Sequence, residues 1–497
     1  MLLLLLIIIP FLGGFISWKS EQYNIKYPRW IALITMSIVF SLLMYFYFYK
    51  FINFVHRTSD HRWIIEFSYP WIPKFGISFH LAMDGLSLLM IFLSSILGII
   101  SVLCSWNFYQ HYKGLFYLSL LHIFSATMGI FLSVDLFLFF CFWEIILIPI
   151  YLLIIFPSVK NNAKRRRISS ANSFFMYSQF SSFIMLVVII NLSTLYYIKY
   201  NFWTFDYELL INLFNENKNF SILEHVLMIG MLIGFAVKIP IVPFHGWFPN
   251  VHRYLPVVGS IDIIGFLSKT GIYGILKFVI PLFPNSSHNL ANFFVFLGLL
   301  NIFYGALLAF SQSDLKKVIA YGSISHTGLI FSSIYAYNQI SYEGAIIYLV
   351  SCSFSTSALF IITSLLKKYF HTKNIYKISG LLENFSWLPG FFLFFCFSSI
   401  GLPGTGSFIG ELMILMGIFE KNPTLSGIFF LGLMCSVVYT LRFMQNICYG
   451  NYKNVSECTT ISSIDILTLF IISFFLFFIG LNSKFIINIL CLTKPII

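Results

Sequence analysis

The chain has 497 residues, 59% of them hydrophobic and only 10% charged, with a formal charge of +12 at pH 7. A soluble domain carries about 25% charged residues, so a soluble enzyme, a disordered chain and a disulfide scaffold are excluded, and a polytopic membrane protein remains. The eight cysteines form no CxxC pair and most lie in apolar runs, so neither an iron–sulfur ligand set nor a zinc site is visible and no metal is expected.

A span takes roughly 20 apolar residues. On that measure the hydropathy pattern predicts about fourteen helices. They run over 2–17, 29–50, 84–106, 115–134, 136–157, 172–198, 225–248, 258–280, 291–311, 315–336, 343–366, 387–417, 425–448 and 462–489. The first run, Met1 to Trp18, lacks a basic leader and a small-residue cleavage site and reads as a retained helix. Lys and Arg concentrate in the loops opposite the termini, with Lys164–Arg167 the densest run. By the positive-inside rule both termini are periplasmic. That run reads as a topology anchor beside anionic lipid, so no nucleic-acid partner is expected. The longest loops, around 51–83 and 199–224, are too short for an independent soluble domain.

Function must therefore sit in the membrane, where each ionisable group costs about 2.5–3.5 kcal/mol on insertion scales. Four charges stand near mid-span: Glu144 in FFCFWEIILIPIYLLI, Lys238 in MLIGFAVKIPIVPFHGW, Lys269 in IDIIGFLSKTGIYGIL and Glu411 in LPGTGSFIGELMILMGIF. Both signs occur, so snorkelling does not account for them. Asp135 and Asp262 fit helix starts or accessory sites, while Arg442 and Asp465 stand near helix ends. Pro240 and Pro243 follow Lys238, and Gly401, Pro403, Gly404 and Gly406 precede Glu411. These residues break two helices. Freed backbone at membrane depth is tolerated only against protein or a water cavity. A break beside a charge is the mark of an ion path. The breaks are five spans apart, and a repeat of five spans must be inverted in the membrane. The chain thus divides into 1–114 (helices 1–3), 115–280 (first five-helix repeat), 281–450 (second, inverted five-helix repeat) and 451–497 (helix 14). The fold expected is all-α and polytopic, with two inverted repeats and two broken helices.

His326, in AYGSISHTGLIF, is an intramembrane imidazole with Ser323, Ser325 and Thr327 beside it to hold water, and it suits a proton relay. His245 and His252 follow the first break, where His245 stands at the rim as an accessory to a half-channel. Burial lowers the pKa of a Lys and raises that of a Glu, and an opposite charge reverses both, so a Glu144–Lys238 pair that opens and closes is a proton switch. Nothing in the sequence alone brings those two together.

The stretches PWIPKFGISFHLAMDGLSLLM (70–90), FFCFWEIILIPIYLL (139–153), AVKIPIVPFHGWFPNVH (236–252), QSDLKKVIAYGSISHTG (312–328) and GLPGTGSFIGE (401–411) resemble the antiporter-like subunits of respiratory complex I over essentially the whole chain. Glu411 is similar to the M-type branch, which includes mitochondrial subunit 4; the L and N types usually have Lys there. The L type also carries a long C-terminal lateral helix for which this chain has no room. The resemblance implies fourteen spans and proton translocation driven by quinone reduction in other subunits. It implies a Glu144–Lys238 ion pair, a central Lys269, His326 on a hydrated axis and Glu411 as the terminal site. It implies L-like and N-like subunits and lipid as partners and no redox cofactor in this chain, with NADH, FMN, iron–sulfur clusters and quinone in the parent complex. Two departures stand out. Cys352, in YLVSCSFSTSALF, occupies a place where the family often has His, and a thiol is a poor relay at neutral pH; Ser351, Ser353 and Ser355 are the groups left there to support water. Asn250 replaces an acidic residue in FPNVH. A subunit of a multisubunit cation/proton antiporter, a membrane subunit of an energy-converting hydrogenase and a spacer that has lost pumping stay open as alternatives. The location expected is the bacterial inner membrane, with the mitochondrial inner membrane as the alternative.

Overall fold

The structure is a computed structural model and describes residues 1–54, 63–106, 112–155, 164–211, 213–214, 221–256, 265, 267–450 and 462–491. Asp262 and the start of the predicted eighth span lie outside the described residues. Among the described residues, ten helices are long and apolar enough to cross a membrane.

The first two helices, α1 (Leu2–Ser20) and α2 (Tyr27–Phe54), pack beside α3 (Gly85–Cys104) and α4 (Lys113–Leu132). Small residues allow the close approach: Gly13 lies against Thr35, and Ser125 Oγ donates to the Ile7 carbonyl at 2.8 Å. The connection from α2 to α3, predicted as a loop, forms two short antiparallel ribbons. Strand β1 (Ile65–Phe67) pairs with β4 (Leu81–Met83), Ile65 opposite Met83. Strand β2 (Pro70–Ile72) pairs with β3 (Ile77–Ser78) around a turn in which Gly76 takes φ +64°. Here the backbone groups find ladder partners that a helix would otherwise supply.

The next span is α5 (Leu136–Ile145) and α6 (Leu147–Ile155), interrupted at Ile146. The uninterrupted helix predicted over 136–157 is corrected here. Pro149 offers no N–H to the Ile145 carbonyl and its ring crowds it, so the ladder fails one residue after Glu144. Helix α7 (Lys164–Tyr200) and the short α8 (Tyr207–Leu210) lead to α9 (Ser221–Lys238). The predicted 225–248 helix ends at Lys238. Turns fill 239–247 and α10 (Phe248–Tyr254) follows, as expected from Pro240 and Pro243. Next come α11 (Ser268–Gly274), a π-helical segment Ile275–Val279, α12 (Ile280–Leu282) and α13 (Pro284–Asn289).

The second half holds α14 (Ala291–Ser311), α15 (Leu315–Ile334), α16 (Gln339–Phe370), α17 (Leu381–Asn384), α18 (Leu388–Ile400), α19 (Gly406–Lys421) and α20 (Pro423–Cys448). It ends with α21 (Ser463–Leu481) and α22 (Lys484–Leu490). Two small-residue seams set its geometry. Gly298 and Gly305 of α14 press on Ser325, Gly328 and Ser332 of α15; Gly344 of α16 and Gly410 and Gly417 of α19 close the other. With no bulky side chain between them, backbones come close enough to fix what each helix presents. The spanning window of α16 is wholly buried, while that of α20 is only 28% buried and turns most of its surface outward.

Lys277, near the end of the predicted 258–280 span, is buried on the π segment and pairs with Asp84, the N-cap of α3. The opposite end of the bundle is basic, as predicted. Arg253 pairs with Asp314 at 3.1 Å, and Lys316 and Lys373 donate to the carbonyls of Leu255 and Arg253 at 2.8 Å each. Lys373, in the loop after α16, is held down to about 8 by burial and by the neighbouring charge of Lys367, Arg253 and Arg167.

Candidate functional site

Two groups of buried charge lie beside the helix breaks, one within the first half and one that joins Lys269 of the first half to residues of the second. In the first, the interrupted α5–α6 helix carries Trp143 and Glu144, and α9 ends at Lys238. Lys238 is 1% exposed. Its Nζ donates to the Trp143 carbonyl at 3.3 Å and sits 3.4 Å from the centre of the Trp143 ring, a cation–π seat that replaces lost water. Glu144 acts on Lys238 across a gap. Among the described residues no ion pair closes that gap, and Glu144 Oε1 is buried without a hydrogen bond. The pair is thus seen apart, with the lysine parked on tryptophan. Trp143 is a residue the sequence reading missed; its one signal is adjacency to Glu144.

The break after Lys238 is held by two side chains from elsewhere. Asn301 of α14, fully buried, accepts from the Val242 N–H at 3.0 Å and donates to the Ile324 carbonyl at 2.9 Å. Trp247 Nε1 donates to the Val237 carbonyl at 3.0 Å. Backbone opened by Pro240 and Pro243 is thereby satisfied inside protein. Asn301 was also missed, although it is a lone amide at mid-span of an apolar helix, the pattern that flags buried polar function.

In the second group Lys269, fully buried, has an Nζ with no hydrogen-bond partner. The groups around it are the Cys352 thiol of α16 and His326 of α15. His326 Nδ1 lies 2.6 Å from the Tyr348 hydroxyl, and its Nε2 lies 3.4 Å from that of Tyr439. Glu411, 8% exposed, is on the first turns of α19 after the second break. Its carboxylate lies where a Cβ on Gly401 would be, and Gly401 has φ +92°, so that position admits only glycine on both counts. The break itself is tied by hydroxyls: Ser407 Oγ donates to the Ser398 carbonyl at 2.5 Å, and Thr405 Oγ1 donates to Leu402 O at 2.7 Å. Pro403, Gly404 and Gly406 lie in or beside this turn, Gly404 at φ +92°.

Lys269, His326, Cys352 and Glu411 are therefore brought together, and Glu144 and Lys238 form a separate cluster. Between Lys238 and Lys269 no hydrogen bond runs among the described residues; Ile239 and Phe235 pack against Gly271 there. The serines and threonine expected to hold water around His326 and Cys352 instead spend their protons on carbonyls. Ser323, Thr327, Ser351, Ser353 and Ser355 bond within their own helices, and Ser325 bonds to Ile302.

Three sequence candidates lie off these clusters. Asp135 is a buried cap of α5, accepting from the N–H groups of Phe137, Leu138 and Ser78 at 2.9, 3.1 and 3.0 Å. His245 is half-buried at the turn after Pro243, edge-on to Tyr304 with ring centres 4.9 Å apart. His252 is wholly buried between Phe248 and Phe360. One polar cluster outside the spans was not foreseen. His80, beside β4, lies 2.5 Å from Asp206 and 2.9 Å from Glu66. Burial opposes its charge, but Asp206, Glu66 and Glu208 outweigh burial and raise its pKa. Trp63 joins this strap by donating to Glu208 while Lys277 sits 4.1 Å over its ring.

Buried charges of both signs beside interrupted helices, inside a predominantly helical bundle, define a polytopic membrane protein that keeps ionisable groups in its interior. A family model described as NADH:quinone oxidoreductase/Mrp antiporter, transmembrane, matches residues 133–438. Subunit M of the NADH-quinone oxidoreductase of Escherichia coli (strain K12) is 42% identical over 472 residues, 95% of this chain and 92% of that one. The corresponding subunit of Buchnera aphidicola subsp. Schizaphis graminum is 44% identical over 489 residues, 98% and 97%. A chain of respiratory complex I from Thermus thermophilus with bound NADH, 22% identical, matches in fold with a TM-score of 0.85 over 100% of this chain and 99% of that chain. The chain belongs to the family of NADH-quinone oxidoreductase subunit M.

Proposed function

We infer that this chain is the M-type proton-translocating membrane subunit of an NADH–quinone oxidoreductase. Redox chemistry with NADH, FMN, iron–sulfur clusters and quinone takes place in other subunits, and L-like and N-like subunits flank this one. The route we propose runs through Glu144, Lys238, Lys269, His326 and Glu411, with the breaks at Pro240–Pro243 and Pro403–Gly406 giving water access. The observation that carries it is Glu411. This carboxylate is placed at a helix break with one oxygen buried and unbonded, and it stands in the same cluster as His326 and Lys269. A carboxylate kept only for structure would have its lone pairs filled.

The architecture proposed with it has fourteen spans. Residues 115–280 and 281–450 are inverted five-helix units, flanked by 1–114 and 451–497, and both termini are on the periplasmic side of a bacterial plasma membrane. The chemistry is a charge relay. When Glu144 closes on Lys238 the ammonium keeps its proton; with the lysine drawn onto Trp143, its desolvation favours release toward Lys269.

The test is NADH-driven proton uptake by inverted membrane vesicles, with assembly followed on native gels. Glu411→Gln and Glu144→Gln complexes that assemble but lose most uptake support the route; full uptake in both refutes it. The family model's description also covers Mrp antiporters. Isolation of the chain with sodium-driven exchange and without flavin and iron–sulfur subunits would favour that second reading.

A further inference from the structure

Along the proposed route no carboxylate, amine or imidazole among the described residues bonds to both His326 and Glu411. Cys352 stands nearby, and Lys269 and Glu411 both act on it, but its thiol makes no hydrogen bond among the described residues; only its carbonyl is used, by Ser355 and Thr356. One turn earlier on the same face of α16 is Tyr348. Its hydroxyl is 2.6 Å from His326 Nδ1. The Glu411 carboxylate faces that same hydroxyl and hydrogen-bonds toward it, while its Oε1 is buried with no partner. Close packing of Gly410 against the Tyr348 backbone fixes this approach. The ring is fully buried, so the hydroxyl has no access to bulk solvent.

We propose that the Tyr348 hydroxyl is the relay that carries a proton between His326 and Glu411. The inference rests on the route given above and adds a residue to it. Starting from a protonated His326 and an ionised Glu411, the Nδ1–H bond breaks as the proton moves to Tyr348 Oη. In the same event the hydroxyl's own proton passes to a Glu411 oxygen. The imidazole ends neutral, the carboxyl ends protonated and the tyrosine is neutral throughout, so no tyrosinate is needed in an apolar site. Rotation of the hydroxyl about its C–O bond resets it. The other ring nitrogen is supplied from the far side, where His326, Tyr439, Ser323, Thr356 and Ser399 line a cavity of about 20 Å³. That is room for one water. The hydroxyl faces both groups, so it can link them without a further side chain between.

Tyr348→Phe keeps the ring and removes only the relay atom. In inverted vesicles containing native-gel-verified complex, NADH-driven proton uptake should fall about tenfold or more, within the range of general acid–base contributions. Adding Cys352→His should restore most of it, because position 352 lies one turn from Tyr348 and faces Lys269 and Glu411. Unchanged uptake in Tyr348→Phe overturns the inference. So does a loss that Cys352→His fails to restore while the solvent deuterium isotope effect stays that of the parent protein, since packing alone would then explain it. If Tyr348→Phe does not assemble, 3-fluorotyrosine at 348 alters hydroxyl acidity at nearly constant volume; a shifted pH profile of uptake supports the relay and an unshifted one overturns it. Glu411→Gln separates the two levels. If it too is silent, the whole route fails; if it abolishes uptake while Tyr348→Phe is silent, only the tyrosine step fails.

Discussion

Asn301 offers a sharp test of how the first break is held. Replacing it by Leu keeps the volume and removes both hydrogen bonds. The two partners lose unequally. The Ile324 carbonyl also accepts from Thr327 Oγ1 at 2.9 Å, so it is not orphaned. The Val242 N–H sits between two proline-disrupted positions, and Asn301 is its partner. An orphaned buried N–H costs about 1–3 kcal/mol, and a lost neutral hydrogen bond about 1 kcal/mol net. Together they predict a destabilisation of about 2–4 kcal/mol. The damage should be local, because the turn that Asn301 secures begins directly after Lys238. Detergent-solubilised chain unfolded with SDS and followed by circular dichroism gives the stability, and vesicle uptake gives the function. Asn301→Leu should lower both. A change under about 0.5 kcal/mol, the size of an ordinary surface substitution, would show that the break is satisfied in some other way and refute the reasoning.

Lys277→Met leaves Asp84 buried with Ser87 as its remaining side-chain partner among the described residues and should cost about 3–5 kcal/mol in the same assay, whereas Asp84→Asn combined with Lys277→Met should recover most of that loss. His80 is raised above its ordinary 6.5 by Asp206, Glu66 and Glu208. Its clamp is therefore fully present below pH 6.5 and weakens as pH rises through the raised value; amide exchange in 63–83 should speed up over that upper range, and His80→Gln should abolish the dependence. Cys352→Ser should leave proton uptake unchanged, since the thiol bonds to nothing along the route; a large loss would make the thiol a participant.

Much of the architecture was readable because lipid imposes a simple code. Long apolar runs give helices, and the prolines after Lys238 and before Glu411 mark where those helices stop. The Ile146 interruption was missed because Pro149 sits four residues beyond the carbonyl it disturbs, and its neighbours are apolar enough to look continuous. The ribbons at 65–83 were missed because they are short and polar in part. The four mid-span charges could be found one at a time, since each is costly by itself. Their partners could not. Asn301 meets Val242, Lys238 meets Trp143 and Asp84 meets Lys277 across 59, 95 and 193 positions of chain. A tyrosine such as Tyr348, in a sequence with 28 of them, carries no mark until the fold sets it beside an imidazole.

Helix α16 has no lipid side over its spanning window, and this shapes how the chain can drift. On a helix such as α20 most positions face hydrocarbon and exchange freely among apolar residues. Every change along the window of α16 must instead be absorbed by a neighbour already in contact. A substitution there that loses a proton-carrying group can be offset only within about one turn, because rigid packing admits no wider adjustment. Sequence drift in this helix should therefore come in paired steps.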